Sequence, residues 1–293
     1  MAQSPAHKFG QIIGDVLEAA VEPYLRELAQ RHGIYLDRKG SRPARKGRKV
    51  SWTDLFQNVH DLDYVLERDG GADKIGIPVA FIETAWRRYT KHSRNKAQEI
   101  QGAIVPLVTT HTKAAPFMGA ILAGVFTEGA LAQLRSLGFS VMYFPYDTVI
   151  EAFESVGIDA RFGEETPDIE FEEKVRAWKA LSADERSIVA RRLLESNSGE
   201  VQRFMERLER AVTRRIALVR VLPLHGTPVE WRSVDEAIAF IEQYTVTGGP
   251  KPVARYEVEI RYNNGDRIET QFADKEDAID FLRGYLPEAL RPA

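Results

Sequence analysis

An α/β protein with a partly parallel sheet is the fold class the sequence predicts, and three observations in one stretch carry that expectation. Phe117 to Phe126 (FMGAILAGVF) is a continuous apolar run, as a strand buried on both faces requires. Thr127 can cap a helix carrying Leu131, Leu134 and Leu137, which Gly138 ends. Ser140 to Phe144 (SVMYF) reads as a second buried strand, followed by a helix around Asp147 to Phe153. Strand, helix and strand at this spacing form a βαβ unit, whose strands lie parallel.

The other elements follow in order. From Phe9 to Gly33, apolar residues recur at three- and four-residue steps, predicting an amphipathic helix that Pro23 kinks or divides. Arg38 to Lys49 (RKGSRPARKGRK) holds seven Lys or Arg and no acid, so an exposed, flexible loop is expected. Val59 to Glu67 (VHDLDYVLE) alternates polar and apolar like a half-buried strand, and Arg68-Asp69-Gly70-Gly71 supplies a turn. Pro78 to Ala85 (PVAFIETA) reads as the next strand, running into a basic helix from about Lys91 to Gln101. Residues 164–214 are charged and helical in pattern, with a capping box at Ser182 to Glu185. Beyond them, 217–244 and 256–285 match at an offset of 41 residues: Val219 with Ile260, Trp231 with Phe272, Tyr244 with Tyr285. Each copy reads strand, turn, strand, helix. The expected organisation is an α/β core over 1–162, a helical segment over 163–214 and two ββα units over 215–293.

Composition bounds the function classes. The chain has 293 residues, 44% hydrophobic and 28% charged, with no cysteine, which excludes disulfide frameworks, thiolate metal sites and a cysteine nucleophile. No apolar run approaches the roughly 20 residues that span a bilayer and no signal-peptide pattern opens the chain, so a cytoplasmic location without membrane contact is expected. Phosphate-loop, dinucleotide and serine-elbow motifs are absent from the sequence. The six histidines show no paired ligand spacing, and His60 reads as a hydrogen-bonded structural residue; His92 could also contact phosphate.

Chemistry concentrates around three carboxylates. Asp61 and Asp63 lie two residues apart on one strand, so both project from the same face while Leu62, Tyr64 and Leu66 point to the other, and Glu83 lies near the end of the next strand. A hairpin between 67 and 78 would set these acids side by side, where their repulsion calls for a cation or a proton. Oxygen donors without Cys or His suit Mg²⁺, which takes one or two carboxylates and keeps several waters. The segment after Glu83, WRRYTKHSRNK, carries five Lys or Arg and no acid. Metal for one phosphate and cations for its neighbours is the pairing a nuclease needs.

Helix, Asp-bearing strand, turn, strand with Glu-x-x, basic helix and βαβ, over roughly residues 8 to 155, resembles the PD-(D/E)xK nuclease superfamily, which includes most type II restriction endonucleases. The resemblance implies a restriction-endonuclease-like mixed sheet flanked by helices. It implies Asp63 and Glu83 as metal-binding acids, with Asp61 as the alternative to Asp63, the Thr84 carbonyl completing the coordination and Glu18 as an extra carboxylate behind the site. It also implies Mg²⁺, with Mn²⁺ able to substitute, double-stranded DNA as substrate and a homodimer. The family lysine belongs two residues after the glutamate, where this chain has Ala85. Arg87, Lys91 and Lys96 are the candidate replacements, with Gln98 also on that helix; an always-protonated arginine could stabilise charge but not serve as a base.

Around this site, Arg42, Arg45, Lys46, Arg48 and Lys49 of the basic loop, with Arg88 and Arg94, are the candidate DNA contacts. Trp52 and Trp86 adjoin the basic tracts and suit either stacking or packing. The expected function is a Mg²⁺-dependent restriction-type DNA endonuclease. The alternatives are a non-catalytic DNA-binding protein on a decayed nuclease fold, or a nuclease subunit requiring a partner protein. The net charge of −3 does not oppose these readings. The two basic tracts hold 12 of the 40 Lys and Arg, leaving 28 against 43 acids, a balance of −15, on the rest of the chain.

Overall fold

The computed structural model of the protein describes residues 4–223, 226–244 and 255–286. The chain divides into two compact units, Met1–Val212 and Thr213–Ala293. The first is an α/β unit whose helices flank a mixed sheet. Its strands are β1 (Tyr35–Arg38), β2 (Val50–Thr53), β3 (Val59–Leu62), β4 (Tyr64–Arg68), β5 (Ile77–Arg87), β6 (Phe117–Gly124) and β7 (Ser140–Pro145). Five of them form the main sheet in the order β1-β4-β5-β6-β7, while β2 and β3 pair separately as a hairpin. β1, β4 and β5 run antiparallel to their neighbours in turn, and β5, β6 and β7 run parallel.

The helices of this unit are α1 (Pro5–Arg31), α2 (Thr90–Thr110), α3 (Glu128–Ser136), α4 (Tyr146–Glu154), α5 (Asp168–Ala180), α6 (Ala183–Glu195) and α7 (Ser198–Val212). One sheet face packs Tyr64, Leu66, Ile82, Ile121 and Phe144 against α1 and α4 to α7. The other packs Val65, Phe81, Ala85, Ala120 and Leu122 against α2, α3 and the base of the β2–β3 hairpin. Helices α5 to α7 thus close the core of the first unit, and the boundary expected near residue 162 is absent. The capping box forms as expected, the Ser182 hydroxyl accepting from Glu185 N–H.

Two sequence expectations need correction. α1 is one helix through Pro23 rather than two pieces. The expected strand over 59–67 is two strands in two sheets, parted at Asp63. The break reverses the alternation, so Leu62 faces the α2 side while Tyr64 and Leu66 face the α1 side.

Glycine decides the approach of β6 to β5. Gly124 has φ +95°, and a Cβ there would lie 2.1 Å from the Arg87 carbonyl oxygen and 2.6 Å from the Trp86 ring. Only glycine lets β6 end against β5 at this point.

The second unit contains β8 (Ile216–Pro223), β9 (Val229–Trp231), α8 (Val234–Gln243), β10 (Tyr256–Tyr262), β11 (Arg267–Phe272) and α9 (Lys275–Arg283). Its antiparallel sheet has the order β11-β10-β8-β9, with α8 and α9 packed on Val219, Val221, Val258 and Ile260. The 41-residue offset reappears in space. Trp231, Phe240 and Tyr244 stack in sequence, as do Phe272, Phe281 and Tyr285.

Candidate active site

Asp63 occupies the bend between β3 and β4. The β4–β5 ladder ends at Tyr64 opposite Ile82, which would leave the next β5 amide without a partner. Asp63 supplies it: one carboxylate oxygen, Oδ2, accepts from Thr84 N–H and from the Thr84 hydroxyl, both at 2.7 Å. Glu83 and Ala85 project toward α2, and Glu83 is 8% exposed.

Ala85 offers no cation, but the next helix does. Lys96, in the second turn of α2, places Nζ 3.8 Å from Glu83 Oε2 and 3.4 Å from Glu99. Glu18 reaches the same place from α1. Burial, then repulsion from Asp63 and Asp15, pushes its carboxyl up to about 7. Burial pushes Glu83 up to about 8; the nearby Asp63 charge adds to this, and Lys96 opposes it. Mutual elevation of neighbouring carboxyls marks acids that cannot all ionise together without a cation.

The cleft over these groups has a volume of about 340 Å³ and is lined by Glu18, Thr84, Ala85, Trp86, Arg87 and Lys96, with one wall from α1. Gly10 and Gly14, one helical turn apart, flatten that wall, and a Cβ at Gly14 would meet nothing within 4 Å. That i, i+4 glycine pair was the available sequence signal for a cleft wall on α1. The Thr84 hydroxyl, with no motif of its own, had no such signal.

Of the other candidate residues, Arg87 lines the cleft and the rest lie outside it. Asp61 is on the outward face of the β2–β3 hairpin, paired with Lys49 at 2.6 Å and bonded to the Ser51 hydroxyl. The broken strand removes it from the site of Asp63. Arg87 donates to the Trp86 carbonyl and stands 3.9 Å from Glu99. Lys91 pairs with Glu164 at the surface. Arg88 stacks on the Tyr146 ring and donates to the Phe162 carbonyl, which commits it to packing.

The basic loop is anchored rather than flexible. Arg42 is 3% exposed and forms a two-pronged pair with Glu67, plus a 2.8 Å contact with Asp37. Arg45 also binds Asp37, at 3.0 Å. Neither side chain is available to DNA as the sequence suggested. Lys46, Arg48 and Arg94 are exposed, with no partner among the described residues. His60 hydrogen-bonds Asp54, and Trp52 packs edge-on against Phe81, both structural roles.

Among the described residues, no group of three or more His, Asp or Glu side chains is arranged to hold a metal ion, and no helix is long and apolar enough to cross a membrane. No family model and no curated protein matches the chain. A solved structure described as "Crystal Structure of Protein of Unknown Function AF1548" matches 64% of this chain and 99% of its own, at 15% identity and a TM-score of 0.26. A likeness that low carries no argument about fold or function.

Proposed function

We propose that this protein is a Mg²⁺-dependent endonuclease of restriction type acting on double-stranded DNA, with a restriction-endonuclease-like first unit. The observation that carries the reading is the clustering of Asp63 and Glu83 with Glu18 and Lys96, the latter two lining the adjacent cleft, from parts of the chain far apart in sequence. Lys96 stands in for the lysine that Ala85 lacks.

The residues fit a hard divalent cation. Asp63 and Glu83 are oxygen donors held together against their repulsion, and Mg²⁺ completes its shell with water when given one or two carboxylates. Asp63, Glu83 and the Thr84 carbonyl would hold it, with Mn²⁺ able to substitute. When bound, the ion supplies a nucleophilic hydroxide at neutral pH and positive charge for the scissile phosphate. Lys96 donates to the phosphate oxygens and offsets their developing charge. Glu18, titrating near neutrality, takes up the proton released when water attacks. Arg94, Lys46 and Arg48 hold flanking phosphates. Cleavage of both strands calls for two copies related by a two-fold axis, hence a homodimer.

Plasmid nicking and linearisation with Mg²⁺ test this directly. Asp63→Ala, Glu83→Ala and Lys96→Ala should each abolish cleavage while leaving duplex binding intact. Full activity in Asp63→Ala and Glu83→Ala refutes the site.

A second reading is a non-catalytic DNA-binding protein on the same fold. It is favoured by Ala85 and by Asp63 Oδ2, which already accepts both Thr84 donors. It expects salt-dependent DNA binding and no cleavage with any divalent ion.

A further inference from the structure

Lys96 and Glu99, three residues apart, stand on one face of α2, and Arg87 ends the strand β5. The three side chains meet at a single atom. Glu99 Oε2 lies 3.4 Å from Lys96 Nζ and 3.9 Å from Arg87 Nη2. The same Lys96 Nζ lies 3.8 Å from Glu83 Oε2. Arg87 and Lys96 both line the cleft. Two cations of the cleft therefore converge on one anionic oxygen, supplied by an acid that the cleavage site does not use.

The cations are held more firmly than the carboxylate. Arg87 Nη1 donates to the Trp86 carbonyl at 2.8 Å, which ties the guanidinium to its own strand and leaves Nη2 toward Glu99. The Lys96 side chain is 18% exposed and also faces Glu83. The Glu99 side chain is 60% exposed, and among the described residues its carboxylate has no hydrogen bond, only these two ion pairs. Ion pairs of exposed groups are weak, so a carboxylate held by charge alone swings into water at little loss.

The same geometry says what can replace it. A guanidinium and an ammonium around one oxygen suit a phosphate, whose non-bridging oxygens carry its charge and accept from both. Glu83 stands on the other side of Lys96, and its ionised form repels an anion that arrives alone. A phosphate that is one of many on a backbone is held in place by its neighbours. The subsite therefore fits a nucleic-acid phosphate better than a free anion.

We propose that Glu99 is a resident stand-in for a phosphate oxygen: in the free protein it fills an anion subsite formed by Arg87 and Lys96, and a backbone phosphate of duplex DNA displaces it. The inference rests on DNA being the partner, as in the function proposed above, but not on cleavage. Displacement sets a threshold, because only a ligand that outcompetes Glu99 reaches Lys96, the cation beside Glu83. Removing the Glu99 charge lowers that threshold, and salt, which screens the competing pairs, lowers it too.

The test titrates the full chain, without divalent ion, against a fluorescent DNA duplex by anisotropy at several salt concentrations. Glu99→Gln should bind about fivefold more tightly than wild type at low salt, with a gain that shrinks as salt rises. In an Arg87→Met background the same substitution should gain less than half as much, because the coupling runs through that guanidinium. Glu195→Gln makes the same change of charge in an exposed pair with Arg192 on α6 and should leave binding unchanged. Glu99 is exposed, so an unaltered thermal transition verifies that the variants fold. With Mg²⁺, Glu99→Gln should lower KM and keep kcat within about twofold of wild type. Wild-type affinity in Glu99→Gln, or an equal gain in Glu195→Gln, overturns the subsite while leaving the nuclease reading standing. Tighter binding by Glu99→Gln with no cleavage by any variant upholds the subsite and refutes the nuclease. Absence of duplex binding by both wild type and Glu99→Gln overturns both. Displacement of the duplex from Glu99→Gln by inorganic phosphate, at matched ionic strength, assigns the subsite to a free anion and overturns its assignment to DNA.

Discussion

Glu83 is the residue whose replacement most directly tests the electrostatics of the cleft. Its carboxyl is buried beside Asp63 and Glu18, with Lys96 as the opposing cation, and lies at about 8 against an ordinary 4.5. Because the folded value is the higher one, its contribution to stability is fully present below pH 4.5 and is lost as the pH climbs through about 8. At 1.36 kcal/mol per pH unit, the raised value disfavours the native state relative to the unfolded one by roughly 1 kcal/mol at pH 5 and roughly 4 kcal/mol at pH 8. Glu83→Gln keeps the shape and removes the charge. It should be near neutral for stability at pH 5 and stabilising by about 3 kcal/mol more at pH 8. For a unit of this size that corresponds to roughly 10 °C in Tm. Urea unfolding followed by tryptophan fluorescence at both pH values measures it. Added Mg²⁺ should raise wild-type stability at pH 8 and leave Glu83→Gln nearly unchanged. An equal effect of the substitution at pH 5 and pH 8 refutes the assigned burial and repulsion.

Three further expectations concern the scaffold. Arg42→Met strands the buried carboxylates of Asp37 and Glu67 and should cost about 3–5 kcal/mol in denaturant unfolding, far more than a surface charge would. Gly14→Ala, in a helix interior with open space for its Cβ, should stabilise α1 by about 1 kcal/mol. Gly14→Leu should fold equally well but project into the cleft, raising KM or abolishing cleavage. Asp61→Ala should change stability by less than about 0.5 kcal/mol and leave Mg²⁺-dependent cleavage intact, since its pair with Lys49 is exposed. Loss of cleavage in that variant would return Asp61 to the site.

Much of the architecture was legible in the chain because its signals are local. The apolar runs at 117–124 and 140–145, the Thr127 cap and the 41-residue repeat each depend on near neighbours, and each appears where expected. The hairpin between β4 and β5 follows from its turn residues, and it sets Asp63 beside Glu83. Alternation failed at Asp63 because pattern alone cannot show that a strand leaves one sheet for another. Leu62 and Tyr64 look like one stripe and bury on opposite faces. The basic loop misled for a related reason. Arg42 is indistinguishable from Arg48 in sequence, yet one neutralises buried acids contributed by β1 and β4 and the other meets water.

The sequence by itself determined the α/β class, the acids at 63 and 83, and the absence of a lysine at 85, because periodicity and residue chemistry are written along the chain. Tertiary structure alone decided which cation lies beside the acids. Lys96 was one of three candidates, and it reaches Glu83 because the packing of α2 on β5 turns its second helical turn toward the cleft. Tertiary structure also drew Glu18 into the cluster and raised the carboxyls of Glu18 and Glu83, since burial and repulsion between groups far apart in sequence arise only once the chain has closed.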